Sequence, residues 1–261
     1  MAAFLFAIQV YCDFGGYSDI ARGCSKIMGV DLMVNFRSPF FFSKSMKEYW
    51  WRHHISLTKW FTAYVYIPLG GNRKGTARKY INNTITFLLS GLWHGADWTF
   101  VIWGGLQSVY LNTGDMLRRK LRRESLVVLP GPRLQNLVNT LITGSLVSFA
   151  YVFFRADSLT DAGILILAFL RDFAHPLTSV SAVLRADKFG FTGVETINFL
   201  ILFCSISVLF AFDYANEKRD AIALVSGLPF LARWSLYVLI PLWILFGMQG
   251  PSGGAFIYFQ F

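Results

Sequence analysis

With 54% hydrophobic, 17% aromatic and only 15% charged residues, this 261-residue chain is too apolar for a soluble enzyme; soluble domains carry about 25% charged residues. Its mean hydropathy of +0.46 places it among membrane proteins with several spans. The formal net charge of +9 reads as cytoplasmic loops rather than a nucleic-acid surface, and the scattered Cys12, Cys24 and Cys204 form neither a disulfide framework nor a metal pattern.

The opening apolar run, residues 2–11, is too short for a span of about 20 residues. It has neither the basic start nor the cleavage site of a signal peptide, and it reads as the second half of a helix. Residues 11–19 then place Asp13, Asp19 and the pair Gly15-Gly16 in apolar surroundings. Two readings are open: a helix stop with a restart capped by Ser18 or Asp19, or a broken, re-entrant helix at a water-lined cavity. Residues 31–45 are loop-like, with Phe36, Phe40, Phe41 and Phe42 as an interfacial aromatic belt. The spacing predicts one amphipathic interfacial helix over residues 46–61. His53 and His54 would point about 100° apart on it, so they could not chelate a metal as an i, i+4 pair does. Residues 64–71 predict a short extended or broken segment ending in a turn.

Two basic clusters follow, Arg73, Lys74, Arg78 and Lys79, then Arg118, Arg119, Lys120, Arg122 and Arg123. If both face the cytoplasm, residues 82–111 cross the membrane an even number of times. Each arm is roughly 20–25 Å long as a helix. That predicts a helical hairpin dipping in and out, its tip near His94, with Asp97 capping the second arm over residues 98–109. Downstream, residues 137–154 predict a span, 158–173 a shorter amphipathic helix, His175-Pro176 a turn and 178–194 a loop. Residues 197–212 and 231–248 predict two further spans, the latter kinked at Pro241.

The stretch Leu92-Trp93-His94-Gly95-Ala96-Asp97-Trp98 concentrates the chemistry. An ionisable residue inside a membrane segment is costly, roughly 2.5–3.5 kcal/mol for the charged types, and marks a functional candidate. Imidazole is tolerable there because it can be neutral near pH 7 and accept a proton. No phosphate-binding loop or dinucleotide fingerprint occurs, and His175 precedes a proline in a loop, so His94 is the candidate for general acid–base work. Composition and pattern leave an enzyme and a proton-coupled transporter both open.

Several separate blocks bring in a resemblance. They are Tyr11-Cys12-Asp13-Phe14-Gly15-Gly16-Tyr17-Ser18-Asp19, Asn35-Phe36-Arg37-Ser38-Pro39-Phe40, His54-Ile55-Ser56-Leu57, Tyr66-Ile67-Pro68-Leu69-Gly70-Gly71-Asn72-Arg73, residues 91–100 and Val152-Phe153-Phe154-Arg155-Ala156. Together they resemble the membrane-bound O-acyltransferases, in the bacterial branch that acetylates alginate, peptidoglycan and related glycans. The resemblance implies an all-α, polytopic transmembrane bundle with broken or re-entrant helices around a tunnel. It implies one membrane-embedded domain over residues 1–261, the C-terminal part of a larger family fold, lacking the several helices that members carry before the Tyr11 block. The family's invariant histidine falls on His94 and its second motif histidine on His54. Tyr49-Trp50-Trp51-Arg52-His53-His54 carries Trp51 where the family pattern has arginine and His53 where it has tryptophan. Asp97 stands where members commonly carry asparagine, which favours the capping reading. Asp13, Asp19, Asn35, Arg52, Trp93 and Asp97 are the further candidates for contact with substrate or donor. No bound cofactor or metal is expected. The implied donor is acetyl-CoA or another acyl thioester, and the acceptor a polysaccharide outside the cytoplasm. A periplasmic or surface acyltransferase partner and a multi-pass location in a bacterial inner membrane follow, with D-alanyl transfer to teichoic acid or a non-enzymatic transport or assembly role as alternatives.

Overall fold

The computed structural model describes residues 2–37, 40–121, 129–174, 193–218 and 221–247. His175, residues 178–192 of the loop expected over 178–194, Arg122, Arg123, Ser38, Pro39 and the glycine-rich tail lie outside them, while residues 193 and 194 begin a helix. The all-α expectation holds, with no strand among the described residues. They divide into two compact units, one ending at Phe169 and one beginning at Leu170.

The first unit opens with α1, Ala2–Ile27, about 39 Å at 1.5 Å per residue. It runs through Gly15-Gly16 without a break, so neither the stop-and-restart nor the re-entrant reading holds. Each interior glycine costs about 1 kcal/mol relative to alanine, but tertiary packing outweighs that local signal. Tyr11 and Phe14 both stand edge-on to Phe36, at 5.7 and 5.1 Å between ring centroids. On the exposed side Asp19 pairs with Arg22 at 3.1 Å. The helix ends in a Schellman turn. Gly29 takes φ +78°, Val30 N–H donates to the Ser25 carbonyl and Gly29 N–H to that of Lys26.

A 3₁₀ turn at Phe40–Phe42 leads to α2, Met46–Arg52, and then α3, Ile55–Phe61. The single helix expected over 46–61 is thus broken at His53-His54. α3 runs on into a π turn at Thr62–Tyr66, which overlaps the start of the short extended or broken segment expected over residues 64–71. Gly70 and Gly71, at φ +102° and +55°, turn the chain towards the next helix. The buried Asn82 side chain closes that turn by donating to the Gly71 and Leu69 carbonyls at 2.7 and 3.3 Å.

α4, Thr76–His94, and α5, Trp98–Leu121, form the predicted helical hairpin. Two glycines let the arms touch backbone to backbone. A Cβ on Gly91 would run into the Phe100 carbonyl oxygen, and one on Gly104 into that of Phe87. A polar ladder continues the seam: Thr84 and Ser108 hydroxyls 2.8 Å apart, then Asn83 donating to Asn112 at 2.8 Å. At its base Lys79, Tyr80 and Arg119 converge on Asp115, at 2.7, 3.0 and 2.9 Å. Asp97 is the helix cap it was expected to be, accepting from Thr99 N–H at 2.9 Å.

α6, Pro132–Arg155, packs against α1 and α5. It corresponds to the span expected over 137–154, and it alone among the described residues is long and apolar enough to cross a membrane. α7, Leu159–Ala174, starts at a reciprocal Ser158–Asp161 cap. In the second unit, α8 (Gly193–Lys218), α9 (Ala221–Ser226) and α10 (Phe230–Gly247) follow. Among the described residues, the apolar stretches of α8 and α10 run over Ile201–Ala215 and Phe230–Trp243, where spans over 197–212 and 231–248 were expected. Pro241 lies inside α10, and Trp243 Nε1 donates to Ser205 Oγ at 2.9 Å.

Candidate active site

The break between α2 and α3 and the tip of the α4–α5 hairpin meet, and each delivers a histidine. His94 is the last residue of α4. Its ring sits edge-on to Trp93, Trp103 and Phe154, at 4.9, 5.1 and 5.1 Å. Gly95 follows because a Cβ there would lie 2.5 Å from the Phe100 ring.

His54 caps α3 in the left-handed conformation, φ 46° and ψ 53°, with no side-chain bond to its own helix. That region costs a non-glycine residue about 1–2 kcal/mol, so something outside the segment must impose it. Residues 35–37 do. Arg37 N–H donates to the Arg52 carbonyl at the end of α2, and Ile55 N–H donates to the Asn35 carbonyl at the start of α3, at 2.9 and 3.0 Å. Asn35 Oδ1 also accepts from Ser56 N–H and Oγ, at 3.1 and 2.9 Å, while its Nδ2 donates to Ser18 Oγ on α1 at 3.1 Å. Between them the Phe36 ring packs on His53 at 5.1 Å. The loop therefore splices the two helix ends and satisfies backbone groups that the break would otherwise orphan.

His54 is 7% exposed, and neither of its ring nitrogens has a hydrogen-bond partner among the described residues. Its ring stands edge-on to Phe14 at 4.5 Å and to Trp93 at 6.2 Å. His53 stacks on Tyr49 at 5.0 Å, and its Nε2 lies 3.5 Å from the Tyr151 hydroxyl, which is 3.3 Å from that of Tyr49. α2 and α3 are too short to span a membrane, and in this corner burial dominates the electrostatics. Burial, reinforced by His94, pushes His53 down to about 3. Burial, then His53 and His94, pushes His54 down to about 2. Both rings are neutral at pH 7, able to accept a proton and unable to hold a charge cheaply.

His54, His94, Trp50 and Trp103 line one small cavity of about 10 Å³, roofed by Tyr151 and Phe154 of α6. That is room for about one water-sized group. Trp50 and Leu57 also line a larger cavity of about 310 Å³, together with Lys47, Lys79, Arg118 and Asp115.

Of the other sequence candidates, none lines the small cavity. Trp93 comes nearest, its ring against both histidines. Asp97 is occupied as the α5 cap. Arg52 is held by Glu48 at 2.8 Å, Asp19 faces outward with Arg22, and Asp13 is half-buried on α1. Asn35 spends its side chain on the splice. Sequence reasoning missed Tyr49, Trp50, Trp103, Tyr151 and Phe154. Phe154, Tyr49 and Trp50 were within reach, since they belong to the Val152–Ala156 and Tyr49–His54 blocks; Trp103 and Tyr151 carry no local signal. Among the described residues no group of three His, Cys, Asp or Glu side chains could hold a metal.

A family model, described as the membrane-bound O-acyltransferase family, matches residues 1–152. The chain belongs to that family. Both site histidines, the splice and the whole hairpin fall inside the matched residues. The probable alginate O-acetylase AlgI of Pseudomonas fluorescens is 36% identical over 84% of this chain and 41% of its own length. The namesake in Pseudomonas putida is 32% identical over 100% of this chain and 53% of its own. The peptidoglycan O-acetyltransferase of Helicobacter pylori is 36% identical over 62% of this chain and 29% of its own. The chain thus spans about half the length of the curated relatives that it matches.

Proposed function

We propose that this chain carries the histidine centre of a membrane-bound O-acyltransferase that moves an acetyl group from a thioester to a hydroxyl of a cell-envelope polysaccharide. The observation that carries the reading is the convergence of His54 and His94 on one cavity from two separate helix ends. His94 takes the proton of the attacking hydroxyl as its oxygen adds to the thioester carbonyl. The C–S bond then breaks, and the proton passes to the departing sulfur. A positioned base contributes about 10²–10⁴-fold. His54, with neither ring nitrogen bonded among the described residues, orients the reacting hydroxyl or relays its proton. The aromatic walls keep water from hydrolysing the thioester. The larger cavity supplies the donor route: Lys47, Lys79 and Arg118 attract the phosphates of acetyl-CoA or a carrier-bound thioester, and Trp50 and Leu57 separate that space from the histidines.

The same reading places the chain in a multi-pass bundle in a bacterial inner membrane. The α4–α5 hairpin enters from the cytoplasmic side, a tunnel joins donor to glycan, and a periplasmic acyltransferase completes the transfer. Acetyl transfer from radiolabelled acetyl-CoA, in membranes expressing the chain, tests it beside a His94→Ala control. Label in glycan with the wild type and none with the variant is the expected result, at equal membrane insertion. Equal labelling by the variant would refute the role of His94. Label only from a D-alanyl carrier thioester would change the cargo and leave the histidine centre standing.

A further inference from the structure

We infer that Asn35 is a positioning residue for His54: it performs the helix capping that residue 54 would otherwise perform, and so leaves the imidazole to the reaction. This rests on the catalytic reading of His54 proposed above. The residue at a helix N-cap ordinarily turns its side chain back to accept from the first free N–H groups. His54 occupies that position on α3 and makes no such bond. The N–H groups of Ile55 and Ser56 go instead to the backbone carbonyl and side-chain oxygen of Asn35, 3.0 and 3.1 Å away. Ser56 Oγ adds a second bond to the same Oδ1 at 2.9 Å. The splice is anchored in turn to α1, through Nδ2 and Ser18 Oγ. Relieved of capping, the His54 ring lies in the cavity with neither nitrogen bonded among the described residues. Asparagine suits the post because one side chain both accepts from residue 56 and donates to Ser18. Aspartate retains the acceptor, with the Ser18 hydroxyl free to donate to it, whereas alanine retains neither.

The test compares Asn35→Ala, Asn35→Asp, His54→Ala and the Asn35→Ala/His54→Ala double variant of the full chain in membranes. Acetyl transfer and amide hydrogen exchange across residues 54–57 are read on each. Asn35→Ala should lower kcat by about 10- to 100-fold, the scale of a misplaced catalytic group, with the donor KM within about twofold. Asn35→Asp should restore most of that loss. The double variant should be no slower than His54→Ala alone, since Asn35 acts through that ring. Exchange at residue 56, which loses its side-chain acceptor, should quicken about tenfold in Asn35→Ala and stay near wild type in Asn35→Asp, whether or not the chain turns over. Residue 55, bonded to the backbone carbonyl of residue 35, should change less. Unchanged protection in Asn35→Ala would overturn the inference, as would a rate loss that adds in full to that of His54→Ala. A His54→Ala variant with wild-type turnover would remove the catalytic role of His54, while the exchange measurement would still judge the cap.

Discussion

Gly104 and Gly105 are neighbours on α5, and a methyl group should have opposite effects at the two. A Cβ on Gly104 meets the Phe87 carbonyl oxygen well inside contact distance, with Phe87 C at 3.0 Å and Gly91 N at 3.2 Å. All three atoms are backbone, so no rotamer change relieves the clash; α4 and α5 must move apart by about 1 Å or more. Overpacking of this kind costs about 1–3 kcal/mol, and a backbone obstacle puts it at the upper end. Alanine's better helix propensity returns about 1 kcal/mol, for a net loss of about 2 kcal/mol. A Cβ on Gly105 meets only Leu88 Cδ2 at 3.6 Å, an ordinary contact, so Gly105→Ala should keep the propensity gain. At about 2–4 °C per kcal/mol for a chain of this size, Gly104→Ala should unfold about 4–8 °C below wild type in detergent, and Gly105→Ala about 2–4 °C above it. Thermal melts scanned at one rate for all three proteins read the difference. Since the displaced arm carries His94 at its tip, Gly104→Ala should also lose acyl transfer. A Gly104→Ala protein as stable as Gly105→Ala would refute the close helix crossing.

Three further outcomes follow from the same structure. Asp97→Ala should cost about 1 kcal/mol through the lost cap and speed amide exchange at residues 98–101, while Asp97→Asn keeps both; equal exchange in the two variants would count against the cap. Folded His53 and His54 titrate at about 3 and about 2, against 6.5 when unfolded. The unfolded chain therefore takes up protons below pH 6.5 that the folded corner refuses. Stability is full above that pH and falls as the pH drops towards the folded values, by about 2 kcal/mol per histidine at pH 5. Denaturant melts at pH 7 and pH 5 check this, and equal midpoints would contradict the burial of the pair. Asp115→Asn removes the single carboxylate facing Lys47, Lys79 and Arg118 around the larger cavity. Because partly exposed ion pairs are worth about 1 kcal/mol or less, the melting point should barely move, whereas the KM for acetyl-CoA should fall. A raised KM would argue that the cavity is not the donor route.

The hairpin was legible because its signals are local. Apolar runs flank Gly95-Ala96-Asp97, and aspartate before a helix is a cap wherever it occurs. His94 stood out for the same reason, as an ionisable group in an apolar stretch. Local signals misled at Gly15-Gly16, whose helix is held by aromatic packing on Phe36 from the loop after it. They were silent at His53-His54, since residues 46–61 contain neither glycine nor proline. That break comes from Asn35 and Arg37, bonded to residues 15 or more positions away.

Composition and the spacing of apolar runs determined an all-helical chain suited to a membrane, the hairpin and its histidine tip, because these depend on what each residue prefers among its near neighbours. The motif blocks carried the family. Only the tertiary structure decided that α1 is continuous, that α2 and α3 part at a left-handed histidine, and that His54 and His94 share one cavity beneath Tyr151 and Phe154. Those outcomes depend on hydrogen bonds and ring contacts between segments distant in the chain. Such contacts stabilise a conformation that each segment alone would not adopt.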